Sequence, residues 1–465
     1  MKKFILVLSC ILIFSSLTKA ASSVTSSQPN IVFIFSDDHA TQALSAYGHE
    51  ISKIAQTPHI DKVATQGIRF DRCLVGNSIC GPSRATILTG TYSHINKFYS
   101  NERTAFDGSQ PTFPKILQAN NYQTALIGKW HLASDPTGFD HWEILPGQGS
   151  YYNPDFVTPN GTHREEGYVS ELVTKKALTW LEHQRNENQP FLLMVQHKAP
   201  HRDWSPAPKY LDLYDDVIFP EPDTLFDDYA GRGSAARDQD MTIDKSMFLG
   251  SDLKVDAFFT NRYERMNDAQ IKIFKEAYIS ENKFLLENQL SGKELVRWKY
   301  QRYLKDYLRC VKSVDDCVGE LWNWLDERDM LDNTIFVYSS DQGFYLGEHG
   351  WFDKRFMYDE SYRTPLVISW PKVISPGSVN SNLVSNLDFA QTFLDAAGIE
   401  AHPRMQGESL LPLLHGDTNA DWRNSHYYHY YEYPGWHMVY RHEGVYDGRF
   451  KLMYFYDIDE WELYD

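Results

Sequence analysis

Five apolar residues in a row, Ile31-Val32-Phe33-Ile34-Phe35, constrain the fold more than any other stretch of the chain. A run without alternation offers no polar face to water, so it reads as a strand buried on both sides, the kind found in parallel sheets covered by helices. Thr124 to Ile127, Phe191 to Val195, Ile335 to Tyr338 and Pro365 to Trp370 read the same way, and Ile68 to Val75 as one further strand. Helix signals fall between them: Thr57-Pro58 as an N-cap with Pro at N1 and Gly67 as the stop, then Phe113 to Ala119, Tyr168 to His183, and Leu387 to Ala397 closed by Gly398. The alternation predicts an α/β fold, a large mixed and mostly parallel sheet sandwiched by helices. Residues 205–294 lose the alternation and read as decoration, with helical pieces such as Asp268 to Phe284. Leu295 to Leu325 is a long amphipathic helix or a broken pair. Past Gly416, Met438-Val439-Tyr440 and Phe450 to Tyr456 read as strands with turns at Gly444 and Asp447-Gly448, which predicts a small antiparallel sheet.

Sheets of this kind bind ligands beyond the C-terminal ends of their strands. Four polar clusters stand there: Asp37-Asp38, Lys129 with His131, His197 with His201, and Asp341-Gln342, each just after a separate apolar run. Asp37, Asp38 and Asp341 are carboxylates and Gln342 offers an amide oxygen, a donor set suited to Ca²⁺ or Mg²⁺. Lys129 and His131 are two apart, so an extended segment turns both to one side.

A fifth feature is the window Asn77 to Gly90. Pro82 suits a first helical turn, Ala85 to Leu88 continue it, and Gly90 can stop it. Cys80 then sits at a helix N-terminus with Arg84 on the same face, where the positive end of the dipole is expected to lower the thiol pKa and attract anions. A packed cysteine at a tight turn is the alternative.

The chain of 465 residues carries a formal charge of −17, and its first twenty residues hold three lysines and no acid, so without them it stands near −20. Nucleic acid is a poor partner for such a surface. An anionic substrate needs a local positive site to overcome it. Met1-Lys2-Lys3, the apolar run Phe4 to Phe14 and Thr18-Lys19-Ala20 predict a signal peptide over residues 1–20 and export to the periplasm or beyond, with a lipoprotein anchored through Cys10 as the less favoured route. The run is too short to span a bilayer, and no later stretch does. Of the remaining cysteines, Cys310 and Cys317 lie seven apart in a helical pattern, about 10 Å between Cα atoms and too far for a disulfide.

The window at Cys80 is similar to the signature of the type I sulfatases, Cys-x-Pro-Ser-Arg and then Leu-x-Gly with Thr between, matched by Cys80, Pro82, Ser83, Arg84, Leu88, Thr89 and Gly90. The family's other motifs are matched by Asp37-Asp38-His39, Gly128-Lys129-Trp130-His131, Asp341-Gln342-Gly343, Gly347-Glu348-His349-Gly350 with Lys354, and His201. Gln342 stands where many members have Asn. The resemblance covers nearly all of the chain after residue 28. It implies an alkaline-phosphatase-like catalytic domain over residues 28–415, a C-terminal subdomain over 416–465, and a chain that continues beyond Asp465. It further implies sulfate-ester hydrolysis, with Cys80 oxidised to formylglycine (3-oxoalanine) by a formylglycine-generating enzyme. One Ca²⁺ would be held by Asp37, Asp38, Asp341, Gln342 and an oxygen of the converted Cys80. Arg84, Lys129 and Lys354 would grip the sulfate, His201 with Lys354 would protonate the leaving alcohol, and His131 would take the proton that expels sulfate.

Tyr430 to His437 resembles the C-terminal part of bacterial polysaccharide and glycosaminoglycan sulfatases, which implies a sulfated oligo- or polysaccharide substrate. His163, Arg164, Arg202, His437 and Arg441 are the candidate sugar contacts. Three rivals remain at this stage: a phosphodiesterase or phosphonate hydrolase of the same superfamily, a non-catalytic sulfated-glycan-binding protein, and a cysteine hydrolase that uses the thiol itself.

Overall fold

In the computed structural model the described residues are 28–102, 105–256, 262–417 and 421–465. Residues 1–20, read above as a signal peptide, and Cys10 among them lie outside the described residues. Four strands form the centre: β1 (Asn30–Ser36), β2 (Gln123–Lys129), β3 (Phe191–His197) and β4 (Thr334–Ser340). They run parallel in the order β4-β1-β3-β2. The sheet has ten strands. Beyond β4 lie Leu366–Ser369 and Ile68–Phe70, each antiparallel to its inner neighbour, and then Ser378–Asn380. Beyond β2 lie His141–Leu145, parallel, and the antiparallel pair Asp155–Thr158 and Gly161–Arg164.

Alternate residues of the apolar runs feed two separate cores, one on each face. Val32, Ile34, Ile127, Val195 and Tyr338 pack under α1 (Pro58–Thr65), α4 (Val169–His183) and α6 (Gly292–Asp326). Ile31, Phe33, Phe35, Leu126 and Val337 pack under α2 (Cys80–Thr89), α3 (Phe113–Ala119) and α7 (Asp388–Ala396). Because both faces are covered, these runs have no polar alternation. The stretch 205–294 adds Leu211, Phe219 and Ile243 to the first core, and Phe274 and Tyr278 of its helix α5 (Asp268–Asn288) pack there too.

Several local expectations are corrected. Ile68 to Val75 is not one strand: Ile68–Phe70 joins the main sheet and Cys73–Leu74 pairs elsewhere with Arg363–Thr364 and Val384–Ser385. Thr57 does not cap α1, because its hydroxyl is engaged with Ser45. The carboxylate of Asp315 on α6 accepts from the N–H groups of His59 (2.9 Å) and Ile60 (3.0 Å) instead. Of the two readings for Leu295 to Leu325, the single long helix holds: α6 is unbroken over 35 residues.

The C-terminal sheet is real, with other boundaries. Its strands are β5 (His426–Tyr430), β6 (His442–Tyr446), β7 (Lys451–Phe455) and β8 (Glu460–Tyr464), all antiparallel. Met438 to Tyr440 belongs to the loop before β6, and Gly444 lies within β6 rather than at a turn. A Cβ at Gly444 would come within 2.5 Å of the Leu452 carbonyl and the Met357 sulfur, so close approach and not turning requires the glycine. Tyr428, Met453 and Phe455 on the inner face pack with Trp351, Phe356 and Tyr362 of the main body. No helix among the described residues is long and apolar enough to cross a membrane, and Cys73, Cys80, Cys310 and Cys317 are all free.

Candidate active site

The register of the central strands brings the site together. Ser36 lies level with Ser340 on one side and His197 on the other, and Gly128 lies level with Gln196. The residues that follow these positions must converge above one sheet edge. Asp37, Asp38 and Asp341 each place a carboxylate oxygen within 4.8 Å of the others, and all three are fully buried. Asp37, Cys80 and His201 form a second such trio. The Gln342 amide nitrogen bonds the Asp38 carboxylate and stands 3.9 Å from the Cys80 sulfur.

Cys80 opens α2, and Gly90 ends the helix in the left-handed region (φ 60°), its N–H donating to the Thr86 carbonyl. The motif residues after Cys80 hold Asp341. Ser83 donates its hydroxyl to the Asp341 carbonyl. Arg84 donates from Nε (3.0 Å) and Nη2 (2.9 Å) to Asp341 Oδ2, and from Nη1 to the Lys129 carbonyl (2.6 Å) and Gln196 Oε1 (3.0 Å). Lys129 rests between the Asp37 carboxylate and Gln148 Oε1. Lys354 donates to both oxygens of Asp38 at 2.7 Å. From the opposite face of the sheet, Tyr307 on α6 donates to the Asp38 carbonyl (2.6 Å) and accepts from the Ala40 N–H (2.8 Å), fixing the turn in which Asp38 has φ 68°.

A cavity of about 630 Å³ opens over this cluster. Cys80, 1% exposed, forms its floor with His131, His201, Lys198 and Lys354, and Gln148 is in the wall. Arg202 and His437 line it too, the former paired with Asp252 (2.6 Å), the latter 3.2 Å from Asp353. Asp353 also pairs with Arg355, and both line the cavity.

Four expectations change. Arg84 and Lys129 do not face the cavity; both are buried behind its floor with their charges on Asp341 and Asp37. His131 does reach the cavity, but through a positive φ of 54° rather than an extended segment. The Cys80 thiol pKa is not lowered: burial outweighs the Lys354 charge and pushes it up to about 12, so the free thiol is a poor nucleophile there. His163, Arg164 and Arg441 lie away from the cavity, satisfied by neighbours. His163 Nε2 is 3.0 Å from Glu165, Arg164 Nε 3.0 Å from Asp155, and Arg441 Nε 3.0 Å from Asp457. Sequence reasoning missed Gln148, Lys198, Asp353, Arg355 and Tyr307. Gln148, Lys198 and Arg355 carry no signal beyond loop polarity; Asp353 neighbours Lys354, and Tyr307 sits on the buried stripe of α6.

Burial and neighbouring cations favour the neutral form of His131 and His201. Burial, then the neighbouring lysines and Arg84, bring His131 down to about 2. His201 is also held well below its usual value by burial and Lys129. Its Nδ1 donates to the Arg202 carbonyl at 2.6 Å, which leaves Nε2 free to exchange a proton, 3.8 Å from Asp38 Oδ2. His197 is a packing residue whose two ring nitrogens find no partner among the described residues.

The donor set fits a hard divalent cation. Asp37 Oδ1 and Gln342 Oε1 are buried and accept no hydrogen bond from the described residues, within or beside a cluster of three mutually repelling carboxylates. Burial raises Asp38 to about 6 against the pull of Lys354, a cost that a cation between the carboxylates removes.

A mostly parallel sheet with a buried cysteine and a hard-cation donor set at its C-terminal edge defines an α/β protein with a metal-assisted site as its candidate centre. Comparison makes the class specific. Residues 29–399 match the Sulfatase family profile, and 347–465 match the profile of the N-sulphoglucosamine sulphohydrolase C-terminal region. The chain belongs to the sulfatase family and is a sulfuric ester hydrolase. It is 52% identical over 456 residues to an N-acetylglucosamine-6-O-sulfatase of Bacteroides thetaiotaomicron, covering 94% of this chain and 80% of that protein. The human N-acetylglucosamine-6-sulfatase is 27% identical, with 85% of this chain and 66% of that protein covered. A solved structure of a protein in complex with its substrate D-glucosamine-2-N,6-O-disulfate superposes with a TM-score of 0.91 at 51% identity, over 94% of this chain and 91% of that one.

Proposed function

We propose that this chain is an exported sulfatase that removes the 6-O-sulfate of a glucosamine residue in a sulfated glycan. The observation that carries the reading is the meeting of Asp37, Asp38, Asp341 and Gln342 with Cys80 at one sheet edge, in a chain half identical to a 6-O-sulfatase of N-acetylglucosamine. A sulfate on the exocyclic C6 arm suits a reactive group recessed at a cavity floor. Cys80 after conversion to formylglycine would supply the attacking hydroxyl that a thiol of such high pKa cannot. Asp37, Asp38, Asp341 and Gln342 would hold Ca²⁺, which supplies Lewis-acid stabilisation of the attacking oxygen.

Charge inventory supports the same assignment. Asp37, Asp38 and Asp341 are balanced one for one by Lys129, Lys354 and Arg84, so the cluster is neutral by itself. A divalent cation held by Asp37, Asp38, Asp341 and Gln342 would add two positive charges beneath the cavity floor, beside Lys354. That local charge draws an anionic ester to a chain of net charge −17. His201, protonated once an anion shares the floor, gives its Nε2 proton to the leaving alcohol. His131, neutral and with Nδ1 unpartnered among the described residues, accepts the proton released from position 80.

The test joins mass spectrometry of the Cys80 peptide with turnover of N-acetylglucosamine 6-sulfate, glucosamine 6-sulfate and galactose 6-sulfate. The expected result is formylglycine at position 80, turnover of the glucosamine esters, and a loss of about a thousandfold or more in Cys80→Ala. An unmodified thiol in fully active enzyme overturns the nucleophile, and turnover confined to galactose 6-sulfate overturns the substrate.

A further inference from the structure

Two exposed aromatic rings stand on the wall of the cavity that has Cys80 at its floor. Phe248 is 57% exposed and Trp436 75%, against 1% for Cys80. Phe248 has a resident partner, the Arg202 guanidinium at 5.7 Å from the ring centre. Trp436 has none: among the described residues no ring or cation packs on its indole, and its Nε1–H makes no hydrogen bond.

The loop that carries Trp436 is nonetheless fixed on both sides. Glu432 accepts from the Asn101 N–H at 3.1 Å, and the rings of Tyr433 and Tyr440 stack at 4.8 Å. The Met438 N–H donates to the Pro434 carbonyl at 3.1 Å, and the His437 carbonyl accepts from the Asp240 N–H at 2.7 Å. Trp436 therefore presents an unpacked indole face to the cavity on a loop anchored at both ends.

We infer that Trp436 is the platform of a second sugar subsite, stacking the uncharged C–H face of the residue glycosidically linked to the sulfated glucosamine. The inference rests on the glucosamine reading above for the first sugar. The occupant follows from the geometry. The floor takes the sulfate and the sugar that carries it, and the rest of the glycan must leave toward the open side of the cavity, where the exposed Trp436 stands. A pyranose offers a flat face of C–H groups that suits an indole, while its hydroxyls remain in water.

The experiment compares kcat/KM of wild type, Trp436→Ala and Trp436→Phe on glucosamine 6-sulfate and on a heparin-derived tetrasaccharide ending in that sugar. The expected result is a ratio of tetrasaccharide to monosaccharide efficiency that falls about tenfold in Trp436→Ala, carried by KM, and is largely restored in Trp436→Phe. Equal losses on both substrates, or no change on either, overturn the subsite. Wild-type enzyme that ignores glucosamine 6-sulfate but desulfates another sugar overturns the first reading alone, and the same contrast on that sugar's monosaccharide and oligosaccharide still decides the second.

Discussion

Lys129 stands with its ammonium against Asp37 and Gln148 and with no exposed surface. Its position was legible from the strand that ends there; its work was not, because a lysine after a strand is most often a solvated one. The Asp37 carboxylate beside it has one oxygen with no hydrogen-bond partner among the described residues, so the pair has little to spare. Replacing Lys129 by Met leaves that buried carboxylate with only the Arg84 guanidinium, 3.8 Å from its Oδ1, as counter-charge. The expected cost is about 3–5 kcal/mol, read by denaturant unfolding. A loss below about 1 kcal/mol would show that Asp37 is neutralised some other way. Cys80 teaches the converse. The sequence placed it at a helix N-terminus, where a dipole lowers a thiol pKa, yet burial dominates and raises it.

At the scale of elements, β2 reaches the site only because position 128 is glycine. Gly128 has φ 110°, and a Cβ there would lie 2.0 Å from the Gln196 carbonyl oxygen on the neighbouring strand β3. Gly128→Ala is expected to destabilise by about 3–5 kcal/mol, through both the strained φ and the clash, as a lowered unfolding midpoint. The C-terminal sheet makes a different prediction. His442 on β6 is caged by Tyr428, Tyr430, Phe356 and Phe455, and burial lowers its pKa to about 3. His426 on β5 is likewise lowered to about 3. The folded values lie below the unfolded one of about 6.5, so the unfolded state binds the proton first. This stability is complete above pH 6.5 and drains away as pH falls toward 3. His442→Phe keeps the ring packing and removes the titration, so its melting temperature should fall less between pH 7 and about pH 4.5 than that of the wild type. An identical fall in both proteins counts against a neutral caged histidine.

For the molecule as a whole, the C-terminal sheet and the nucleophile loop are one structure. The Tyr428 hydroxyl on β5 accepts from the Ser78 N–H at 3.2 Å and donates to the Arg355 carbonyl. One ring therefore ties together the loop before Cys80 and the loop after Lys354. Tyr428→Phe removes both bonds while keeping the packing. We expect about 1–3 kcal/mol lower stability, and a fall in kcat as positions 80 and 354 lose their mutual registration, checked by calorimetry and steady-state kinetics on one preparation. Unchanged kcat would show that the sheet is only a lid on the core. In the same way α6 reaches across the sheet through Tyr307 to hold Asp38, so both layers shape one edge.

The sequence by itself determined the four central parallel strands, the edge at which ligands meet and the carboxylate set, since short uninterrupted apolar runs between helix signals suit strands covered on both faces and the residues after parallel strands share an edge; the outer strands His141–Leu145, Asp155–Thr158, Gly161–Arg164 and Ser378–Asn380 carry no such run. It located Cys80, Arg84 and Lys354 by motif. Only the tertiary structure decided which way their charges face: Arg84 and Lys129 inward onto Asp341 and Asp37, Lys354 onto Asp38 at the cavity floor. It also removed His163, Arg164 and Arg441 from the cavity, and it brought in Gln148, Lys198, Asp353 and Arg355. The physical reason is reach. Strand order and register follow from local burial, whereas the partner of a charged side chain depends on loops that meet only after folding, and no periodicity in the chain records that meeting.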